Sequence, residues 1–324
     1  MTQRIEISYK TVIFTVFFLL SLKFIWIIRE LIYSLLLAFI FMSALKPIVA
    51  RLVQYKLPRG FAAFIVVMFS MTILLFFLGF LIPPIISESL VFARNLPGLL
   101  VKSFPILSPF LNASSAVQFL PNITQNAIKV ISSVFSNVMF VISVFFFTFY
   151  FLLEDKFIES FLSNFLDDKA YKAVVEVLQK AETRMGAWMR GELVLMTSIG
   201  LLTYIGLSIL GVPFALSLAF LAGLLEIVPI IGPIMSAIPA FIVASSASSF
   251  LGLGTLVLYL IIQQLENNLI VPYIMNKAVG IHPITTLIAL SIGGTLGGIL
   301  GAILAVPVAL IIETTVQRLL KGDA

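Results

Sequence analysis

The chain alternates long apolar runs with short polar breaks. Eight runs read as membrane spans: 11–28, 31–45, 61–82, 130–153, 193–210, 213–228, 234–262 and 283–312. Most approach or exceed the ~20 apolar residues that cross a hydrocarbon core as a helix. The first two hinge at Arg29-Glu30, and Pro83-Pro84 closes the third. The seventh contains Pro239 and four serines at 245, 246, 248 and 249, and the eighth contains Pro307. Two stretches depart from this pattern. Residues 87–129 hold prolines at 97, 105, 109 and 121, and are expected outside the membrane as short helices or loops near the headgroups. Residues 154–192 hold 14 charged side chains, with apolar positions at helical spacing: Phe157, Phe161 and Phe165, then Val174, Val177, Leu178, Ala181, Met185 and Trp188. That spacing predicts an amphipathic helix pair, which would lie on the membrane surface, pack on a partner subunit or serve as a solvated connector.

The predicted class is therefore an all-α polytopic membrane protein. Its organisation reads as N-terminal transmembrane helices (1–86), an extracytoplasmic segment (87–129), a further span (130–153), cytoplasmic amphipathic helices (154–192) and a C-terminal transmembrane core (193–324). Composition agrees. Hydrophobic residues make up 60% and charged residues 11%, about half the usual share of charge in a soluble domain.

Lysine and arginine set the expected orientation. The loop 46–59 carries Lys46, Arg51, Lys56 and Arg59 and no acid, which places it in the cytoplasm. Alternation then puts both termini and the 154–192 segment inside. Together with the 46–59 loop those segments hold 14 of the 20 basic residues. A re-entrant pair around 227–238 would keep the same parity. The expected site is the cytoplasmic (inner) membrane of a bacterium. The net charge of +5 fits basic cytoplasmic loops and does not call for nucleic-acid binding.

Candidate chemistry is sparse. The chain has no cysteine and one histidine, His282, so thiolate chemistry and multi-histidine metal sites are excluded. No Walker sequence or glycine-rich nucleotide turn appears, so no cofactor is expected. Between residues 193 and 276 the only charged side chains are Glu226 and Glu266. A carboxylate at membrane depth is expensive and tends to face a cavity, a partner or an ion path. Glu226 precedes the helix breakers Pro229, Gly232 and Pro233. One reading is a re-entrant or unwound segment that faces a substrate or ion; the other is a plain interfacial turn. Glu266 sits among Gln263, Asn267 and Asn268, as candidate ligands for a polyhydroxylated solute or a cation, or as a polar helix end. Gly293, Gly297 and Gly301, and in parallel Gly294, Gly298 and Ala302, recur every four residues and predict close helix packing. That face would serve contacts within the chain or a homo-oligomer.

A faint internal repeat is also present. Gly211-Val212-Pro213 followed by Phe-Ala-Leu-Ser-Leu-Ala-Phe-Leu-Ala-Gly is similar to Ile281-His282-Pro283 followed by Ile-Thr-Thr-Leu-Ile-Ala-Leu-Ser-Ile-Gly, with Pro239 and Pro307 late in each unit. Broken helices in repeated positions build midplane sites in many transporters. Chance likeness between two apolar helices is the alternative.

The C-terminal half resembles the autoinducer-2 exporter family of bacterial permeases. The residues that carry the resemblance are Glu-Ile-Val-Pro-Ile-Ile-Gly-Pro-Ile (226–234), Pro239-Ala240, Gln-Leu-Glu-Asn-Asn-Leu-Ile-Val-Pro (264–272), His282-Pro283 and the glycine-rich run 293–308. The resemblance implies a multispan transporter that forms homo-oligomers. It also implies export of autoinducer-2, with roles in quorum sensing, or exchange of sodium or lithium for protons. Three functions are thus expected: export of a small polar molecule, ion-driven or facilitative; monovalent cation/proton antiport; or a non-transporting scaffold. An enzyme is not expected. The bilayer is the first partner in each case.

Overall fold

The computed structural model describes residues 9–76, 138–154, 156–229, 231–275 and 283–321, and every regular element among them is helical. The expectations for 87–129 lie outside the described residues. The helices are α1 (Tyr9–Ile27), α2 (Arg29–Gln54), α3 (Arg59–Phe76), α4 (Val138–Leu153), α5 (Phe157–Ser163), α6 (Asp168–Ile209), α7 (Ala215–Leu225), α8 (Ile231–Ala247), α9 (Ser249–Leu265), a π-helical turn (Glu266–Ile270), α10 (Val271–Met275) and α11 (Pro283–Lys321). Six described helices are long and apolar enough to cross a membrane. The protein is a multi-pass, all-α membrane protein.

Helix α1 buries none of its residues. Helices α2, α3 and α4 form a compact group around Met42, Val49, Ala62, Ala63, Val66, Phe145 and Leu152. The small residues Ala62 and Ala63 are wholly buried, and such positions let membrane helices approach. Arg59 Nε donates to the Leu152 carbonyl at 2.9 Å, which fixes the start of α3 on the end of α4.

Helix α6 is the spine. Its 42 residues extend about 63 Å at ~1.5 Å per residue, twice the ~30 Å hydrocarbon thickness. The amphipathic pair expected over 154–192 and the span expected over 193–210 are therefore not separate. Helix α5 is short, and α6 continues through residues 192 and 193 without a break. The reason is local: the stretch contains no proline, and Gly186 and Gly191 serve close contact instead of a turn. A side chain at Gly186 would meet the backbone of Ser43 in α2. Nearby, Pro47 lacks the N–H that would bond the Ser43 carbonyl. Arg190 replaces that donor, giving bonds to the Ser43 and Ala44 carbonyls at 3.3 and 3.2 Å.

Ion pairs gather at one end of the spine. Lys46 pairs with Glu182 at 2.6 Å, Arg184 with Glu313 at 2.9 Å and Arg318 with Glu176 at 3.0 Å. The end of α2, the start of α6 and the end of α11 thus share one end of the bundle.

The spans expected over 213–228 and 234–262 take a different form. Helix α7 has 11 residues, about 16 Å, half of a bilayer core. It runs back along α6, with Gly223 against Met196 and Gly200. Pro229 then blocks further helix, and α8 turns back alongside it. Leu207, Val212, Leu218, Ala240, Val243 and Ala244 share one core, so α7 and α8 begin and end at the same end of the bundle. They form a re-entrant hairpin whose tip includes 226–229. The run 234–262 is not one span. It breaks at Ser248, whose hydroxyl accepts from the Phe250 N–H at 3.2 Å as an N-cap. Helix α9 returns beside α8, placing Gly252 against Ser245 and the Tyr259 hydroxyl 3.4 Å from the Ser236 carbonyl.

The run 283–312 is likewise not one straight span. Gly298 has φ +59° and ψ −138°, a conformation open only to glycine. The helix reverses there. Gly293 meets Gly301 and Ala305 across the fold, positions that a straight helix would hold more than ten ångströms apart, at ~1.5 Å per residue. The glycine ridges expected on a straight helix are therefore distributed differently. Gly293 and Gly301 pack the two arms together, Gly297 rests on Tyr33, Gly298 makes the turn, and Gly294 has no neighbour within 4 Å. This second hairpin enters from the end that carries the ion pairs, opposite to the first.

The turn at Gly298 gives a stability test. Gly298→Val is expected to destabilise the protein by about 1–3 kcal/mol, because a branched residue is forced into a disallowed conformation. Gly294→Ala, on open helical surface, is expected to be neutral or slightly stabilising. Thermal unfolding in detergent compares the two.

Candidate functional site

The first hairpin carries Glu226 as the cap residue that ends α7. Its N–H still bonds the Ala222 carbonyl at 3.1 Å, so the side chain is held by helical backbone. The following turn is tight. Gly232 lies directly against the Leu225 carbonyl, where a side chain would collide with backbone, and its N–H bonds the Val228 carbonyl at 2.9 Å. Pro233 stands in the first turn of α8, where a missing N–H is tolerated. Thus Pro229, Gly232 and Pro233 shape the tip.

Helix α9 brings Glu266 to the same place. The residue opens the π-helical turn Glu266–Ile270, a wound segment of a kind often found at functional sites. The Glu226 and Glu266 carboxyl groups are neighbours, within electrostatic reach of each other. Gln263 Nε2 donates to Glu266 Oε2 at 3.0 Å. Asn267 and Asn268 face outward, and Asn268 caps the Gln264 carbonyl at 2.9 Å. The structure joins Glu226, Gln263 and Glu266, and leaves the two asparagines outside the cluster.

A third carboxylate completes it. Glu192, on α6, is within electrostatic reach of both other acids. Only 2% of Glu192, 2% of Glu226 and 5% of Glu266 is exposed. No lysine or arginine among the described residues pairs with any of them. Glu192 Oε1 and Glu226 Oε2 have no hydrogen-bond partner among the described residues. Glu192 was missed because it closes a charged segment and so reads as part of a solvated face. The signal that would have found it is periodic. Ala181, Met185, Trp188, Glu192, Leu195 and Ile199 are all buried and follow one stripe of the helix.

The two hairpins meet beside this cluster. Val228 of the first tip packs on a core formed by Ile40, Met185, Trp188, Leu290, Leu304, Ala305 and Val306. The second hairpin supplies the last four of these. Its tip reaches Tyr33 of α2. Re-entrant backbone, a half-buried amide and three buried acids without basic partners among the described residues describe a polar site enclosed by protein at membrane depth.

Comparison with known proteins agrees with this architecture. The model of the AI-2E family transporter matches residues 12–321. The chain belongs to the AI-2E transporter family. YueF of Bacillus subtilis (strain 168), named as a candidate transport protein, is 28% identical, covering 92% of this chain and 87% of YueF. The AI-2 transport protein TqsA of Escherichia coli (strain K12) is 24% identical over 91% of this chain and 88% of its own length. MT0215 of Mycobacterium tuberculosis is 34% identical over 36% of this chain. In this AI-2E transporter the cluster falls within the matched region.

A buried acid with an unpartnered oxygen costs stability. Glu192→Leu, of similar volume, is expected to raise the unfolding temperature, because removing an unsatisfied buried polar atom recovers about 1–3 kcal/mol. A fall in unfolding temperature would show that Glu192 is held by favourable contacts instead.

Proposed function

We propose that this AI-2E family member is a permease of the bacterial cytoplasmic membrane that exports a small polar solute such as autoinducer-2. The observation that carries the reading is the meeting of two oppositely inserted hairpins beside Glu226, Gln263 and Glu266. Helices that stop inside a bilayer leave free backbone groups, and such ends persist only when buried in protein or facing water. Here they converge on hydrogen-bonding side chains. Carboxylates and an amide suit a polyhydroxylated solute, and the name of TqsA points to autoinducer-2 as the first solute to test.

The faint repeat supports the same reading. Each unit opens near a proline, Pro213 or Pro283, and each folds into a helical hairpin with its turn about fourteen residues later. The hairpins insert from opposite ends, the arrangement of inverted repeats around a central site. A scaffold would not need buried acids or interrupted helices. Orientation follows the basic loops: the ion-paired end, with the 46–59 loop and the C-terminus, faces the cytoplasm.

Two measurements test this. Reporter fusions after Lys56 and Lys321 are expected to report the cytoplasm at both positions; an external signal at either rejects the orientation. In proteoliposomes, Glu226→Gln and Glu266→Gln are each expected to lower labelled autoinducer-2 flux at least tenfold. That corresponds to loss of about 1.4 kcal/mol of site interaction. Parental flux from both variants would place the solute path elsewhere.

A further inference from the structure

We propose that Glu192, Glu226 and Glu266 form a proton-binding site that couples solute export to proton entry. The inference rests on the permease reading and adds the coupling ion and a third residue. Three acids alone do not make a site. Two further observations point to a ligand. First, the Glu226 and Glu266 carboxyls are buried neighbours, with the Gln263 amide donating to Glu266 Oε2 at 3.0 Å. Two carboxylates that share a buried site disfavour a second negative charge, so a proton on one of the pair is favoured. Second, Glu192 Oε1 and Glu226 Oε2 are buried and have no partner among the described residues. Each is an open position for a proton.

The surroundings leave protons as the compensating charge. On α6, the other nearby ionisable group is Arg190, and it is turned to the Ser43 and Ala44 carbonyls of α2. Tyr259 of α9 is engaged with the Ser236 carbonyl of α8. Helix α10 brings Ile274 and Met275 against Gly191, with no charge. The second hairpin faces the core with Leu290, Leu304, Ala305 and Val306, also uncharged. Among the described residues no group of three acids has the geometry to hold a metal ion. Three negative charges with no basic partner cannot all persist at membrane depth. The acids also sit on three separate elements: the spine, the first hairpin tip and the π-helical turn. A relative shift of the tip would separate Glu226 from Glu266 and release the shared proton. The solute then competes for the same oxygens.

Infrared spectroscopy of the full-length protein in liposomes reads the site without a solute. The expected result is a carbonyl stretch from buried protonated carboxyl at neutral pH. It should weaken in each of Glu192→Gln, Glu226→Gln and Glu266→Gln, each checked for fold by circular dichroism. Absence of the band in the parent, or a band unchanged in all three variants, overturns the proposal. Loss of the band on adding sodium at fixed pH also overturns it, in favour of a sodium site. A companion assay measures labelled autoinducer-2 efflux with and without an inward proton gradient. Several-fold stimulation is expected in the parent and none in Glu192→Gln. Parental efflux that ignores the gradient sinks the coupling but leaves the permease reading. If no efflux occurs under any condition while the band is present, the solute assignment falls and the proton site stands.

Discussion

A helix that ends inside a bilayer leaves N–H and carbonyl groups that lipid cannot satisfy. This chain ends helices there repeatedly, at Leu225, at Ile231 and at the Gly298 turn. Each end must therefore be enclosed by other protein. The long helix α6 supplies the enclosure. It runs through the whole bundle, contacts the first hairpin through Gly200 and the second through Met185 and Trp188, and is anchored to α2 by Arg190. Small residues at each crossing bring backbones close enough to exclude lipid. The ion pairs at one end then fix α2, α6 and α11 to each other.

Enclosure also explains where charge can be placed. The broken backbone gives the interior of the C-terminal half a polarity that a continuous bundle would lack. Glu226 sits at a helix end, Glu266 at a π-helical turn and Glu192 where these two meet the spine. Removed from the hairpin tips, the same acids would face hydrocarbon. The fold and the candidate site thus share one cause.

Much of this was legible in the sequence. Apolar runs reported the all-helical membrane class, and the breakers at 229, 232 and 233 marked an interruption beside Glu226 that read as a re-entrant segment or a plain turn. Glu266 with Gln263 was found because isolated acids are rare in such runs. What hydropathy does not encode is direction. It measures transfer into lipid and is blind to a reversal made by one residue, so 234–262 and 283–312 read as single spans. Ser248 and Gly298 turn them back. Charge density misled in the opposite sense at Glu192, where fourteen charges in 154–192 concealed a helix whose last two turns enter the core. The amides at 267 and 268 share a sequence cluster with Glu266, yet the π-helical turn points them outward.

The central claim is that Glu226 and Glu266, forty residues apart on separate helices, meet in the membrane interior. The absence of native cysteine makes a direct test simple. Cysteines placed at 226 and 266 of one chain are expected to form a disulfide under mild oxidation in membranes, seen as a linked pair of peptides after proteolysis. A cysteine pair at 245 and 252, which face each other between α8 and α9, serves as the internal standard. If the standard links and the 226–266 pair does not, the acids are apart and the account of the site is wrong.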